Sequence, residues 1–186
     1  DRGTYNDTQM SNAAGAALQR QIREVVVPEI DKYRFGKICE GAKTTVTGKV
    51  TKANTNDAFL TDATTLIENN VPLVGSCAFV SSDFYKNIKE DSSFIRNGDM
   101  SQEILIKGQV GTIDGIPLIV VPKSYFPENV EFIITNQAAT TSPVKLSEYK
   151  IHDNPPGING WLVEGRLYYD AFVLENKKSA MYVFKT

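Results

Sequence analysis

The chain has 186 residues, of which 41% are hydrophobic and 23% charged, and its formal net charge is −2. That length can bury a substantial core, and the near-neutral charge leaves no basic footprint for holding nucleic acid through the bulk surface. No apolar run approaches the ~18 residues of a membrane-spanning helix, and no signal peptide is visible.

The first element in chain order is helical. From about Asp7 to Glu40, the residues Ala14, Leu18, Ile22, Val26 and Ile30 recur every fourth position and Tyr33 follows, which makes a single apolar stripe. Asp7, Thr8 or Ser11 stands where a cap belongs. Pro28 removes a backbone donor and crowds the carbonyl of Glu24, so a bend or a division is expected there. A helix of ~30 residues is ~45 Å long at ~1.5 Å per residue, more than a compact domain of this size needs. Such a helix serves as a brace or an assembly element.

After Gly41 the pattern changes. Thr44–Thr51 is β-branched and reads as a strand. Asn56–Asn70 reads as a second helix with Phe59, Ala63, Leu66 and Ile67 on one side, ended by Val71-Pro72. Cys77–Val80 is a short buried-type strand, and Ser81 or Ser82 is placed to cap a third, short helix. Ser93–Glu103 is polar and reads as an exposed loop. Gly108–Pro122 holds Asp114-Gly115 between apolar runs, which is a hairpin signal because both central turn positions need positive φ. Glu131–Asn136 and Pro143–Ile151 add strands, and His152–Gly160 is a loop. In Gly165–Phe184 two aromatic-rich runs flank Asn176-Lys177, which reads as a closing hairpin. Trp161, Val163, Leu167, Tyr169, Ala171 and Val173 alternate onto one face, against Glu164, Arg166, Tyr168 and Asp170 on the other. The class is α+β with a mixed or antiparallel sheet.

These residues form no recognisable catalytic or ligand-binding pattern. Glu164 and Asp170 stand six apart on one strand, roughly 20 Å, whereas paired glycosidase carboxylates sit about 5–9.5 Å apart. Glu164 and Arg166 fit a surface ion pair on a solvated face. His152 is the only histidine, sits beside Asp153 in a Pro-Gly loop, and has no nucleophile elbow to serve, so a hydrogen bond to its neighbour is its expected role. The glycines of Gly108–Gly115 are spaced wrongly for a dinucleotide fingerprint and lack the lysine of a P-loop. Asn97–Glu103 lacks the ligand periodicity of a calcium loop. Lys86, Lys89 and Arg96 near Tyr85 and Phe94 suggest a nucleic-acid patch, but Asp83, Glu90, Asp91 and Asp99 interrupt it. Cys39 and Cys77 have no metal-ligand spacing and read as free thiols of a reducing compartment. No catalytic, cofactor-binding or metal residue is assigned, and no cofactor is expected.

The order of the pieces resembles a known family. A long early helix (AAGAALQRQIREVVVPEIDKYRF) leads to a second helix (DAFLTDATTLIENN). Then come CAFVSSDFYKNI, GQVGTIDGIPLIVVP and the terminal GRLYYDAFVLENKKSAMYVF. This resembles the major capsid protein of tailed double-stranded-DNA bacteriophages, a fold shared with encapsulins. The resemblance implies a long, bent spine helix with a peripheral P-domain sheet, and an axial A-domain whose central sheet is flanked by helices. On that reading 1–52 is the spine and the start of the P-domain, 53–150 is mainly A-domain, and 151–186 holds closing strands that return to both sheets.

The implied function is that of a non-enzymatic structural subunit of an icosahedral phage or prophage head. It would join hexamers, pentamers and shells, enclose DNA without reading its sequence, contact no membrane, and reside in the virion after assembly in the bacterial cytoplasm. The family also has an N-terminal arm and an extended E-loop before the spine, which are not found here. With the start at Asp1, this implies a truncated or processed form, monomeric or weakly associated by itself. An encapsulin-like shell around protein cargo is the alternative. A small binding or enzyme domain, which would show a deep pocket lined by shifted titratable groups, is the third reading.

Overall fold

The computed structural model of the chain describes residues 13–91, 109–153, 155–157 and 161–186. Helix α1 covers residues 13–41. It is followed by β1 (Thr44–Thr47), α2 (Thr55–Glu68), β2 (Ser76–Ser81) and α3 (Ser82–Glu90). Next come β3 (Gln109–Ile113), β4 (Ile116–Val121), β5 (Val130–Asn136) and β6 (Thr140–Thr141). The chain closes with β7 (Val144–Asp153), β8 (Trp161–Tyr169), β9 (Phe172–Val173) and β10 (Met181–Lys185). It divides into two units, Asp1–Asp31 with Ser142–Asp170 and Lys32–Thr141 with Ala171–Thr186, so the first boundary falls inside α1.

In the first unit, α1 carries the stripe read from the sequence. Ala14, Leu18, Ile22 and Val26 are half-buried, Ile30 is buried, and most residues between them are exposed. Pro28 does not divide the helix. Instead Ile22–Val26 is a π segment in which the Val27 N–H donates to the Ile22 carbonyl. The wider turn falls on the residues just before the proline ring, where the clash with the Glu24 carbonyl would arise. The candidate caps Asp7, Thr8 and Ser11 lie outside the described residues.

The same unit holds an antiparallel ribbon of β7 and β8, paired from Val144 with Tyr169 to Asp153 with Trp161. A bulge between Leu146 and Glu148 takes up one residue. It therefore puts Lys145 opposite Tyr168, Lys150 opposite Glu164 and His152 opposite Leu162 on one face, although Lys145 and Lys150 are an odd number of residues apart. The other face presents Val163, Gly165 and Leu167 to Leu18, Ile22 and Val26 of α1.

The expected closing hairpin does not form. β8 pairs with the upstream β7, and Asn176 and Lys177 lie in the 3-10 turn Glu175–Ala180. β10 then inserts into the sheet of the second unit between β1 and β5. Alternation makes a segment a strand without naming its partner, and the partner here is a distant one.

The second unit is a six-stranded mixed sheet in the order β1-β10-β5-β2-β4-β3. β10 and β5 are central, and their alternation serves two cores. Phe132, Ile134, Tyr182 and Phe184 join Phe59, Ala63 and Leu66 of α2 and Phe84 and Ile88 of α3. Ile133 and Val183, one residue out of phase, join Phe35, Val121, Phe126 and Val130. Stacked Phe132 and Phe184 (ring centroids 4.9 Å apart) and edge-on Phe35 and Phe79 (5.1 Å) fill the two sides.

Two apolar assignments are corrected. Tyr33 is 37% exposed, and the inward residues of that part of α1 are Phe35, Ile38 and Cys39. A strict four-residue repeat drifts about 40° per step around a 3.6-residue helix, so one stripe cannot stay on one side for its whole length. Ile67 is 52% exposed, while Asp62 takes the inward position on α2. The Asp114-Gly115 turn is as expected, with φ of 49° and 80° closing β3 onto β4. The segment Ser93–Glu103 lies outside the described residues.

Candidate functional site

Small clefts lie among the described residues of the first unit. Leu18, Gln21, Ile22 and Val26 of α1 line one of about 190 Å³ with Val163, Glu164, Gly165 and Leu167 of β8. Lys150, Glu164, Gly165 and Arg166 line another of about 230 Å³. Both are smaller than the roughly 300–1,000 Å³ typical of ligand pockets. On the polar face of the ribbon His152 Nε2 lies 3.0 Å from Glu164 Oε1. The Glu164 carboxyl is held below its usual range, first by that hydrogen bond, with the charges of Lys150 and Arg166 adding to it. His152 is therefore a strand residue that pairs across the ribbon rather than a loop residue bonded to Asp153. Water screens a pair this exposed, so it orients the face more than it stabilises it.

The second unit holds two built polar clusters. At one end of the sheet Glu131 accepts the Ser81 hydroxyl (2.7 Å) and the Thr186 hydroxyl (3.0 Å), with Lys123 Nζ 3.9 Å away. Ser81 is the cap of α3, its oxygen accepting the Phe84 N–H at 3.0 Å. Between α2 and β10, Asp62 is 2% exposed, and the Tyr182 hydroxyl donates to it. Nearby, the Asp91 carboxylate accepts the Asn56 N–H at 3.2 Å and so caps α2 from a distant part of the chain, while Lys52 pairs with Glu90.

Burial raises both thiols, Cys39 to about 11, so neither is a ready nucleophile, and both are free. Among the described residues no three His, Cys, Asp or Glu side chains gather in a way that would hold a metal ion, and no helix is long and apolar enough to cross a membrane.

No protein-family model matches the chain, and no curated protein does. Solved structures do. A structure of Mycobacterium phage Che8 is similar with a TM-score of 0.69 at 17% identity, over 90% of this chain and 62% of that one. The capsid structure of the cyanophage P-SCSP1u gives 0.68 at 14% identity, over 91% of this chain and 65% of that one. The chain has the phage capsid-protein fold.

A virus-like particle from Pyrococcus furiosus shares that capsid fold at a TM-score of 0.57 and 14% identity, over 87% of this chain and 63% of that one. The chain thus spans less than two thirds of the length of each of these neighbours. The α+β class and the capsid fold are both as expected from the order of the sequence elements.

The basic patch weighed from the sequence does not come together among the described residues. Lys86 lies near Glu90, Lys89 sits 5.6 Å over the Tyr85 ring, and Asp83 bonds Lys123 at 2.7 Å. Arg96, Phe94 and Asp99 lie outside the described residues. Sequence reasoning passes over Asp62 and Glu131. An acidic residue inside the apolar spacing of Phe59, Ala63 and Leu66 is a signal for the first, whereas nothing local marks the second.

Proposed function

We propose that these residues build the body of a major capsid protein, the structural subunit of an icosahedral phage head enclosing double-stranded DNA. The observation that carries this reading is a shared fold over nine tenths of the chain with phage capsid structures. On this reading the helix-and-ribbon unit is the peripheral P-domain and α1 its spine, and the six-stranded unit is the axial A-domain. The subunit acts by association, as hexamers and pentamers of a shell in the virion, and not by catalysis. Each neighbour has more than a third of its length outside the match. The 186 residues alone are therefore expected to stay monomeric or weakly associated in dilute solution, because a stable interface buries on the order of 1,600 Å².

A second reading, an encapsulin-like shell around protein cargo, has the likeness to the Pyrococcus furiosus virus-like particle as its support. The contents of purified particles separate the two. Nuclease-protected double-stranded DNA of uniform length supports the phage head. Particles that hold protein and no protected DNA overturn it in favour of the compartment.

A further inference from the structure

Asp62 sits on the inward face of α2 between Phe59 and Leu66, in the core that includes Phe84, Phe132 and Phe184. It is 2% exposed, and its Oδ2 has no hydrogen-bond partner. The Tyr182 hydroxyl of β10 donates to its carboxyl and also meets Thr65 of α2. A carboxylate held this way keeps a bare charged oxygen in an aromatic core, whereas a carboxylic acid is neutral there.

We propose that Asp62 is a proton-operated latch between α2 and β10, which holds the helix on the sheet when its carboxyl is protonated and loosens it when the proton leaves. The titratable and charged groups of the surrounding elements are Asp57 and Glu68 on α2, Asp83, Tyr85, Lys86, Lys89 and Glu90 on α3, and Asp91 just after it. The others are Lys185 on β10, Glu131 on β5, Cys77 on β2, and Lys49 and Lys52 in the loop before α2. Burial pushes the Asp62 carboxyl up to about 7, opposed only by the hydrogen bond from Tyr182. The latch therefore turns over near neutral pH through one group. It stands on the packing of this unit and does not depend on the capsid reading.

Hydrogen exchange of the α2 amides in the 186-residue chain tests it. After correction for intrinsic exchange, α2 protection is expected to fall about tenfold from pH 6 to pH 8.5. Asp62→Asn, which is neutral at both pH values, is expected to remove that dependence. Equal protection of α2 at the two pH values in the wild type overturns the latch, as does a fall that persists in Asp62→Asn. Should the variant not fold, the carboxyl-carbon NMR titration of wild-type Asp62 decides. A midpoint near 7 supports the latch, and one near the ordinary aspartate value of about 4 overturns it.

Discussion

Gly41 lies against Val173 so closely that a Cβ on the glycine would come within 2.6 Å of Val173 Cγ2 and 2.8 Å of its Cβ. The glycine ends α1 and the valine lies in the two-residue strand β9, where it pairs with Thr140. The contact thus fixes how the last turn of the helix meets the returning chain.

Gly41→Ala is expected to destabilise the chain by about 1–3 kcal/mol, because the clash is with the branch point of a side chain that cannot swing away. Urea unfolding measures the loss. Adding Val173→Ala is expected to recover part of it, and a double mutant no more stable than Gly41→Ala would remove the steric explanation.

Ser81 joins two helpers of one helix start, since its oxygen caps α3 through the Phe84 N–H and its hydroxyl donates to Glu131. Ser81→Ala is expected to cost about 1–3 kcal/mol, the loss of a cap together with a half-buried acceptor left short of one donor. Ser82→Ala, one residue on, is expected to change stability by less than about 0.5 kcal/mol. Comparable losses for the two would contradict the placement of the cap.

The β3–β4 turn isolates a backbone effect. Gly115 has φ of +80° and open space around its Cβ position. Gly115→Ala is therefore expected to cost about 1–2 kcal/mol from the left-handed conformation alone. Asp114→Asn, at φ 49°, is expected to be neutral within about 0.5 kcal/mol. Thermal unfolding of the pair reads both.

Stability should fall as pH rises through the range set by Asp62. Its folded carboxyl is raised from 3.8 to about 7, so between those values the folded chain holds a proton that the unfolded chain has lost. The contribution is fully present below about pH 4 and is lost progressively up to about pH 7. It amounts to at most on the order of 4 kcal/mol for a group this buried. Denaturant unfolding across pH 5–8 is expected to show the decline in the wild type and a flatter curve in Asp62→Asn. Parallel curves would contradict the assignment.

What could be read from the sequence was what neighbouring residues decide. Asp114-Gly115 specifies its turn through backbone φ alone, and the Leu18–Ile30 spacing specifies which side of α1 is covered. Ser81 declares itself as a cap by preceding a short amphipathic run. Partners at long range were not legible. The alternation around Trp161–Tyr169 makes β8 a strand, but β7 is chosen by the packing of the whole unit. Met181–Lys185 lies beside Thr44–Thr47 and Val130–Asn136 for the same reason. Ile67 differs from expectation because periodicity marks a face only to within a residue or so. The His152–Glu164 pair needs the register of β7 on β8, bulge included, before it can be seen.

Cryo-electron microscopy of particles assembled from a protein that contains these 186 residues is the decisive experiment. Closed icosahedral shells are expected. In them the six-stranded unit gathers around the five-fold and six-fold axes, and α1 with the β7–β8 ribbon lies at the capsomer periphery. A protein that stays dispersed under all assembly conditions, or shells whose subunits place the ribbon at the axes, would contradict the capsid reading.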